Sequence, residues 1–347
     1  MAVAKRLINC GISITACNLK CKYCYVTQYA DRQPQKANFL YPVEHICKAF
    51  SAKRLGGACI FNLCGAGETL MVEELPKIVE GLTKEGHYIE IVTNATLTKQ
   101  LEQMLSLPTE LLEHIEFKCS FHYLELKRLG LLEQYAKNVN MIWEKGASAS
   151  VELMPNDELI PLAPEIKAFC MENFGALCHL TVGRNDPSPD KEILTDMPLD
   201  EYENIWNEFD SDMFRFKLSV FGKKRNEFCY AGDWSLFVDL TTGITKKCYK
   251  TKKEFNIYEN IDAPIDFEAV GNHCPEPHCF NAHAYLTLGN IPALDMPTYA
   301  QMRNRVREDG SQWINDIFRA FIDGKFKDEN KEYSAIKKMI TNMKSSK

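Results

Sequence analysis

The sequence predicts an α/β fold: about six β/α units in series, followed by a small irregular region built on a β-hairpin and helices. Three observations carry this. Short apolar runs alternate with segments of helical periodicity from residue 12 to about residue 210, the pattern of a parallel sheet covered by helices. The segment DPSPDKEILTD, residues 186–196, breaks that rhythm with proline, aspartate and serine and is the best candidate linker. Beyond it, residues 229–288 lose periodicity apart from one hairpin signal.

The elements follow in order. Residues 12–15 form a short strand. Residues 42–55 place Val43, Ile46, Cys47 and Phe50 at helical spacing, and residues 58–64 are a short apolar run that reads as a buried strand. Residues 72–85 are helical through Leu75, Ile78, Val79 and Leu82, and residues 88–93 form the third strand. Helix 98–107 ends before Pro108. Strand 115–122, helix 126–145, strand 148–154, helix 161–173 and strand 178–183 complete the series, and residues 199–210 add a helix. SLFVDL, TTG and ITKKCYK then spell a hairpin. Residues 298–345 read as polar, lysine-rich helix. Such a series gives a parallel sheet, open or curled into a partial barrel, with ligands at the carboxyl ends of its strands.

With 347 residues, 45% of them hydrophobic and 25% charged, the chain can bury a full core. A net charge of −6 implies no general polyanion-binding surface, so nucleic acid is not an expected partner. Lys246, Lys247, Lys250, Lys252 and Lys253 read as a solvated lysine-rich turn, with a local basic patch as the second reading. No apolar run is long enough to span a membrane, and the N-terminus lacks the pattern of a signal peptide. A cytoplasmic location is expected. In a reducing compartment the 14 cysteines point to metal or redox chemistry where they cluster. They do so at 17/21/24 and at 229/248/274/279; the other seven read as small buried hydrophobes.

The first set, ACNLKCKYCYV, holds C-x3-C-x2-C. Three thiolates this close can each bind a different iron of one cubane, whereas structural zinc normally takes four ligands. The triad leaves one iron open, free to chelate the amino and carboxylate groups of S-adenosylmethionine (SAM). Here the chain resembles the radical SAM superfamily, whose usual spacing this is. That resemblance implies a partial (β/α)6 barrel and a SAM-binding [4Fe–4S] cluster on Cys17, Cys21 and Cys24. It also implies cleavage of SAM to a 5′-deoxyadenosyl radical, with an electron from a flavodoxin- or ferredoxin-type donor. By the same resemblance Tyr23 lies near the adenine. Gly65, Ala66, Gly67 and Glu68 resemble the family's Gly-Gly-Glu segment, which receives the SAM amino group. Asn94 sits in VTNATL, similar to the family's Thr-Asn-Gly. Ala66 and Ala95 replace glycines of that pattern.

Strand parity adds candidates. Lys118, Ser120 and His122 share one face of their strand, and Asn62, Asn94, Glu152, His179 and Thr181 are inward by the same count. Ser120 and Glu152 resemble family positions that contact the SAM ribose or methionine carboxylate. His122 reads either as a catalytic group, a substrate hydrogen-bond partner or acid/base, or as a structural histidine at a strand end. His179 reads as structural.

The second set, C-x13-G-x4-C with Cys274 and Cys279 following, places Gly243 at the hairpin turn and Cys229 and Cys248 to one side. It resembles the auxiliary-cluster domains called SPASM and twitch, closer to the shorter twitch form because no cysteine follows Cys279. The resemblance implies one auxiliary [4Fe–4S] cluster on Cys229, Cys248, Cys274 and Cys279. Zinc is the second reading, and the C-x4-C spacing leaves room for His278 or a substrate group as a ligand.

The regions expected are 1–210 as the radical SAM core, 211–297 as the twitch/SPASM-like auxiliary domain and 298–347 as a helical extension. The function expected is that of an oxidoreductase or isomerase. It would oxidise, dehydrogenate or epimerise a small molecule of sugar, aminocyclitol or nucleotide type, with the auxiliary cluster as electron acceptor. The alternative is modification of a ribosomally made precursor peptide by thioether formation, C–C crosslinking or epimerisation. Because the barrel starts near residue 12, no leader-binding domain is expected, and a separate partner would supply it. A non-catalytic electron carrier fits less well, since it needs no cradle for an amino group.

Overall fold

A computed structural model describes residues 3–29, 33–248, 251–272 and 274–345; Lys250 of the lysine-rich turn lies outside them. The strands are β1 (Leu7–Ile12), β2 (Ile60–Gly65), β3 (Tyr88–Thr93), β4 (Ile115–Ser120), β5 (Ser148–Leu153), β6 (His179–Leu180), β7 (Ser235–Asp239), β8 (Ile244–Lys246) and β9 (Glu254–Asn256). Among the described residues they make one sheet in the order β6-β5-β4-β3-β2-β1-β7-β8-β9. From β1 to β6 all pairings are parallel and sequential, the mixed α/β arrangement of a partial (β/α)6 barrel.

The sheet does not stop at the barrel. β7 pairs parallel with the other edge of β1, Leu7 against Ser235 and Gly11 against Asp239. β8 and β9 follow antiparallel. The expected hairpin is therefore β7–β8, and it extends the barrel sheet. Gly243 at its turn has φ 81° and would meet Asn256 and Tyr258 with any side chain, so both conformation and space require glycine.

Several boundaries differ from expectation. The first strand is Leu7–Ile12, because the amides of Thr15 and Ala16 bond to the Gln35 carbonyl and leave the sheet. The last barrel strand is only His179–Leu180. The chain then turns back on itself: the Leu194 amide bonds to Gly183 O at 3.0 Å and Arg184 bridges Ile193, so residues 186–196 are a folded excursion. Helix 42–55 is two helices, Val43–Ala49 and Ala52–Leu55, and helix 126–145 is also two, Tyr123–Leu129 and Leu132–Glu144. The expected C-terminal helix is four short ones, Tyr299–Arg303, Asp316–Ile322, Phe326–Glu329 and Ala335–Ser345. Separate caps from Thr298 and Asn315 start two of them.

The outward faces of the strands carry Ile8, Phe61, Ile91, Phe117 and Val151, all buried against the helices. The inward faces are polar, which an enclosed interior tolerates only when the groups are paired. The C-terminal segment supplies partners. Arg303, fully buried, donates to Glu116 Oε1 from Nε at 3.1 Å and from Nη2 at 2.8 Å, and also reaches Glu152 and Ser150. Lys118 Nζ donates to Asn62 Oδ1 at 3.2 Å and to the Tyr299 hydroxyl at 3.3 Å, with Glu90 at 3.6 Å. Residues 299–303 thus floor the barrel and leave its upper end open. Among the described residues no helix is long and apolar enough to cross a membrane.

Candidate active site

A cavity of about 770 Å³ opens at the carboxyl ends of the barrel strands. The loop after β1 carries the first three cysteines into it, fastened from four sides. The amides of Gly67 and Glu68 bond to the carbonyls of Ile14 and Ala16, at 2.6 and 2.9 Å. Asn94 Nδ2 donates to Asn18 Oδ1 at 2.9 Å, and Asn18 Nδ2 to Thr96 Oγ1 at 2.7 Å. Glu125 accepts from the Lys20 amide at 2.9 Å. Gly67 is glycine for a packing reason, since a Cβ there would collide with the Ala16 carbonyl. Ala66 beside it is exposed, which explains why a methyl is tolerated where the family pattern has glycine.

Cys17, Cys21 and Cys24 all line the cavity. Burial, then the neighbouring Cys17 and Cys24, push the Cys21 thiol up to about 12. A thiol raised in this way favours the thiolate only when a cation joins it. Asn94 Nδ2 lies 3.9 Å from Cys17 Sγ, so it tethers the loop and touches the sulfur.

The other expected barrel residues are at the same cavity. Gly65, Ala66, Gly67 and Glu68 form its rim at the end of β2, and Tyr23, Asn94, Ser120, His122 and Glu152 line its wall. Glu68 is buried, and its carboxylate accepts from Leu70 N, Thr93 Oγ1 and Asn94 N at 3.0, 2.6 and 2.8 Å. A carboxylate has about four acceptor positions, so roughly one is left. His122 Nδ1 pairs with the Tyr23 hydroxyl at 2.8 Å. Glu152 is ion-paired with Arg303. Burial pushes its carboxyl up, but Arg303 and Lys118 more than reverse this and hold it well below the usual range. Parity also places Asn62 and Thr181 on the cavity. His179 is buried deeper, bonded to the Arg303 carbonyl at 3.0 Å, in the structural role expected for it.

Cys229, Cys248, Cys274 and Cys279 do not line the cavity, but they lie near enough to influence one another electrostatically. Burial, then Cys248, Cys229 and Cys274, push the Cys279 thiol well up, and burial brings Cys229 to about 12. Phe280 and Asn281, next in sequence to Cys279, form cavity wall. His278 packs tilted against Phe221 with ring centroids 4.2 Å apart, and burial first, then Arg184 and Lys217, bring its pKa down to about 4. Among the described residues no three His, Cys, Asp or Glu side chains stand close enough to hold one metal ion; cubane thiolates bind separate irons.

Residues 12–118 match the family model described as the Radical SAM superfamily. Over those residues the chain is similar to that superfamily. No curated protein matches it. Among solved structures, Streptococcus suis SuiB bound to S-adenosylmethionine is similar at 14% identity and a TM-score of 0.51, over 96% of this chain and 75% of that one. SuiB bound to precursor peptide SuiA is similar at 16% identity and a TM-score of 0.50, over 76% of this chain; the match spans 64% of SuiB. BtrN in complex with AdoMet and 2-DOIA is similar at 14% identity and a TM-score of 0.38, over 95% and 92% of the two chains. The likeness to SuiB shows a shared fold.

The sequence reading missed Arg184, Lys217 and His283, which also line the cavity, and Arg303 beneath it. Lys217 left a signal. On helix Asp212–Val220 it shares a face with buried Met213 and Val220, where a lysine is out of place unless it serves the interior. Arg303 left none, because its partners lie in strands far along the chain.

Proposed function

We propose that this chain is a radical SAM enzyme. Cys17, Cys21 and Cys24 would hold a [4Fe–4S] cluster that binds and reduces SAM, and Cys229, Cys248, Cys274 and Cys279 would hold an auxiliary [4Fe–4S] cluster serving as electron acceptor. The observation that carries this is the convergence of the first triad, the Gly65–Glu68 rim, Asn94 and Ser120 on one cavity, with the second cysteine set gathered behind the wall at Phe280. The donor sets fit: all seven are thiols, and burial keeps Cys21 and Cys229 protonated until metal binds.

The chemistry supplied on binding is reductive cleavage of the C5′–S bond of SAM, giving a 5′-deoxyadenosyl radical that removes a hydrogen atom from substrate. The chain's residues bind and orient. Glu68 offers its remaining acceptor position to the SAM ammonium. Tyr23 presents its ring to the adenine, held by its bond to His122. Ser120 offers a hydroxyl to the ribose or carboxylate, and Glu152, fixed by Arg303, keeps its charge beside it. The floor built by Tyr299 and Arg303 excludes water from below.

The substrate reading is oxidation, dehydrogenation or epimerisation of a small molecule of sugar, aminocyclitol or nucleotide type, supported by a cavity of a size suited to SAM plus a small group. Modification of a precursor peptide is the second reading, and the likeness to peptide-bound SuiB supports it. A flavodoxin- or ferredoxin-type donor would supply the electron. Residues 1–210, 211–297 and 298–347 are proposed as the core, auxiliary and extension regions.

Iron content and products test this. Anaerobic reconstitution should give about eight irons per chain, and the Cys17→Ala/Cys21→Ala/Cys24→Ala variant about four. A wild type that never exceeds four overturns the second cluster. Reduced enzyme with SAM should release 5′-deoxyadenosine; methylthioadenosine or S-adenosylhomocysteine alone would overturn the mechanism.

A further inference from the structure

The far wall of the cavity holds more positive charge than binding SAM uses. Lys118, Arg184 and Lys217 stand there together, and His283, whose imidazole is held well below its usual range by burial and then by Lys217, lies beside them uncharged. Two of these cations have counter-charges: Lys118 has Glu90 at 3.6 Å, and Arg184 has Asp186 at 2.6 Å. Glu152, the carboxylate that most supports Lys217, is itself ion-paired with Arg303. Among the described residues no carboxylate lies within ion-pair reach of Lys217. Its Nζ donates to the Thr181 hydroxyl, which uses one of an ammonium's three donors. Next to it, His283 has an Nδ1 with no hydrogen-bond partner among the described residues, and Lys217 is the charged neighbour that acts on it most.

Such an arrangement is costly as it stands. Holding a cation without a counter-charge in a partly buried site is unfavourable. Burial brings Lys217 down to about 8, which still leaves it mainly charged at neutral pH. An anion entering the cavity would recover that cost and meet donors already in place. Lys217 also lines a narrow adjoining cleft with His278 and Cys279. It therefore stands between the cavity and the second cysteine set.

We propose that Lys217, with Thr181 and His283 beside it, binds an oxyanion carried by the substrate, a carboxylate or a phosphate, and so seats the substrate on the wall between the two cysteine sets. The site itself rests on the geometry above; that the anion belongs to the substrate rests on the proposed radical SAM function. The SAM carboxylate is the competing occupant.

The test uses reconstituted holoenzyme saturated with SAM, probed calorimetrically with inorganic phosphate and, separately, with acetate. One of the two should bind, which identifies the oxyanion. Lys217→Met should weaken it by about tenfold or more, with SAM affinity changed less than about twofold. Lys217→Arg, which keeps the charge, should retain most of the binding and shows that loss in Lys217→Met is not misfolding. Failure of both probes to bind wild type, or equal binding in Lys217→Met, overturns the proposal. So does a Lys217→Met variant that loses SAM affinity, which assigns the lysine to the SAM carboxylate. Failure of the radical SAM reading is separable, because it appears as no 5′-deoxyadenosine from wild type whatever the anion result.

Discussion

Gly67 shows how one residue without a side chain governs a loop it does not belong to. Its amide and that of Glu68 hold the carbonyls of Ile14 and Ala16, and the contact is too close for a Cβ. Gly67→Ala should push the first cysteine loop away while sparing the second set. Iron content is expected to fall to about half of wild type, with 5′-deoxyadenosine formation lost; retention of full iron and activity would refute the role given to this contact. At this scale the sequence was legible wherever chemistry depends on spacing. The C-x3-C-x2-C run, Glu68 and Asn94 could be named because each is local. Lys217 was half legible, as a charge on an apolar helix face. Arg303 was not legible, because its meaning comes from Glu116 and Glu152, which only the fold brings to it.

Among the elements, helix Leu75–Lys84 carries Gly81 at a position where glycine ordinarily costs about 1 kcal/mol against alanine. The neighbouring helix Val43–Ala49 explains it: Cys47 Sγ occupies the space a Cβ would need. Gly81→Ala should therefore destabilise wild type yet stabilise a Cys47→Ala background by up to about 1 kcal/mol. Urea unfolding of the four proteins measures the difference, and equal effects in both backgrounds would remove the packing explanation. The helix Tyr299–Arg303 makes a larger demand. Arg303→Met leaves Glu116 and Glu152 buried without their cation and should cost about 3–5 kcal/mol. The pH dependence gives its signature. In wild type Glu152 is held below its usual value, so its contribution is complete above about pH 4.3 and lost only on stronger acidification. Without Arg303, burial raises the carboxyl above its unfolded value, and stability is then lost as pH rises through the raised value. The urea midpoint of the variant should climb relative to that of wild type between pH 7 and pH 5, the buried histidines acting alike on both.

Taken whole, the molecule is one sheet where the sequence suggested a barrel and a separate appendage. The six β/α units were readable in order because each strand and helix announces itself within a few residues. The joining of β7 to β1 was not, since backbone pairing between Leu7 and Ser235 leaves no mark on local composition. That pairing also bears on how the protein is made. β1 is synthesised well before β7, and one of its edges has no neighbour until the strand at 235–239 follows. At 5–20 residues per second this is a delay of about 10–50 s, during which the apolar strand LINCGI has an open edge of the kind that pairs with other chains. Nascent chains stalled before residue 235 should be protease-sensitive at β1, and chains stalled well past residue 303 resistant; equal resistance would mean that β1 is sheltered earlier. The union that gives the mature protein one continuous sheet thus secures β1 only after the five strands that follow it in the barrel, and a chaperone's attention would fall on that strand.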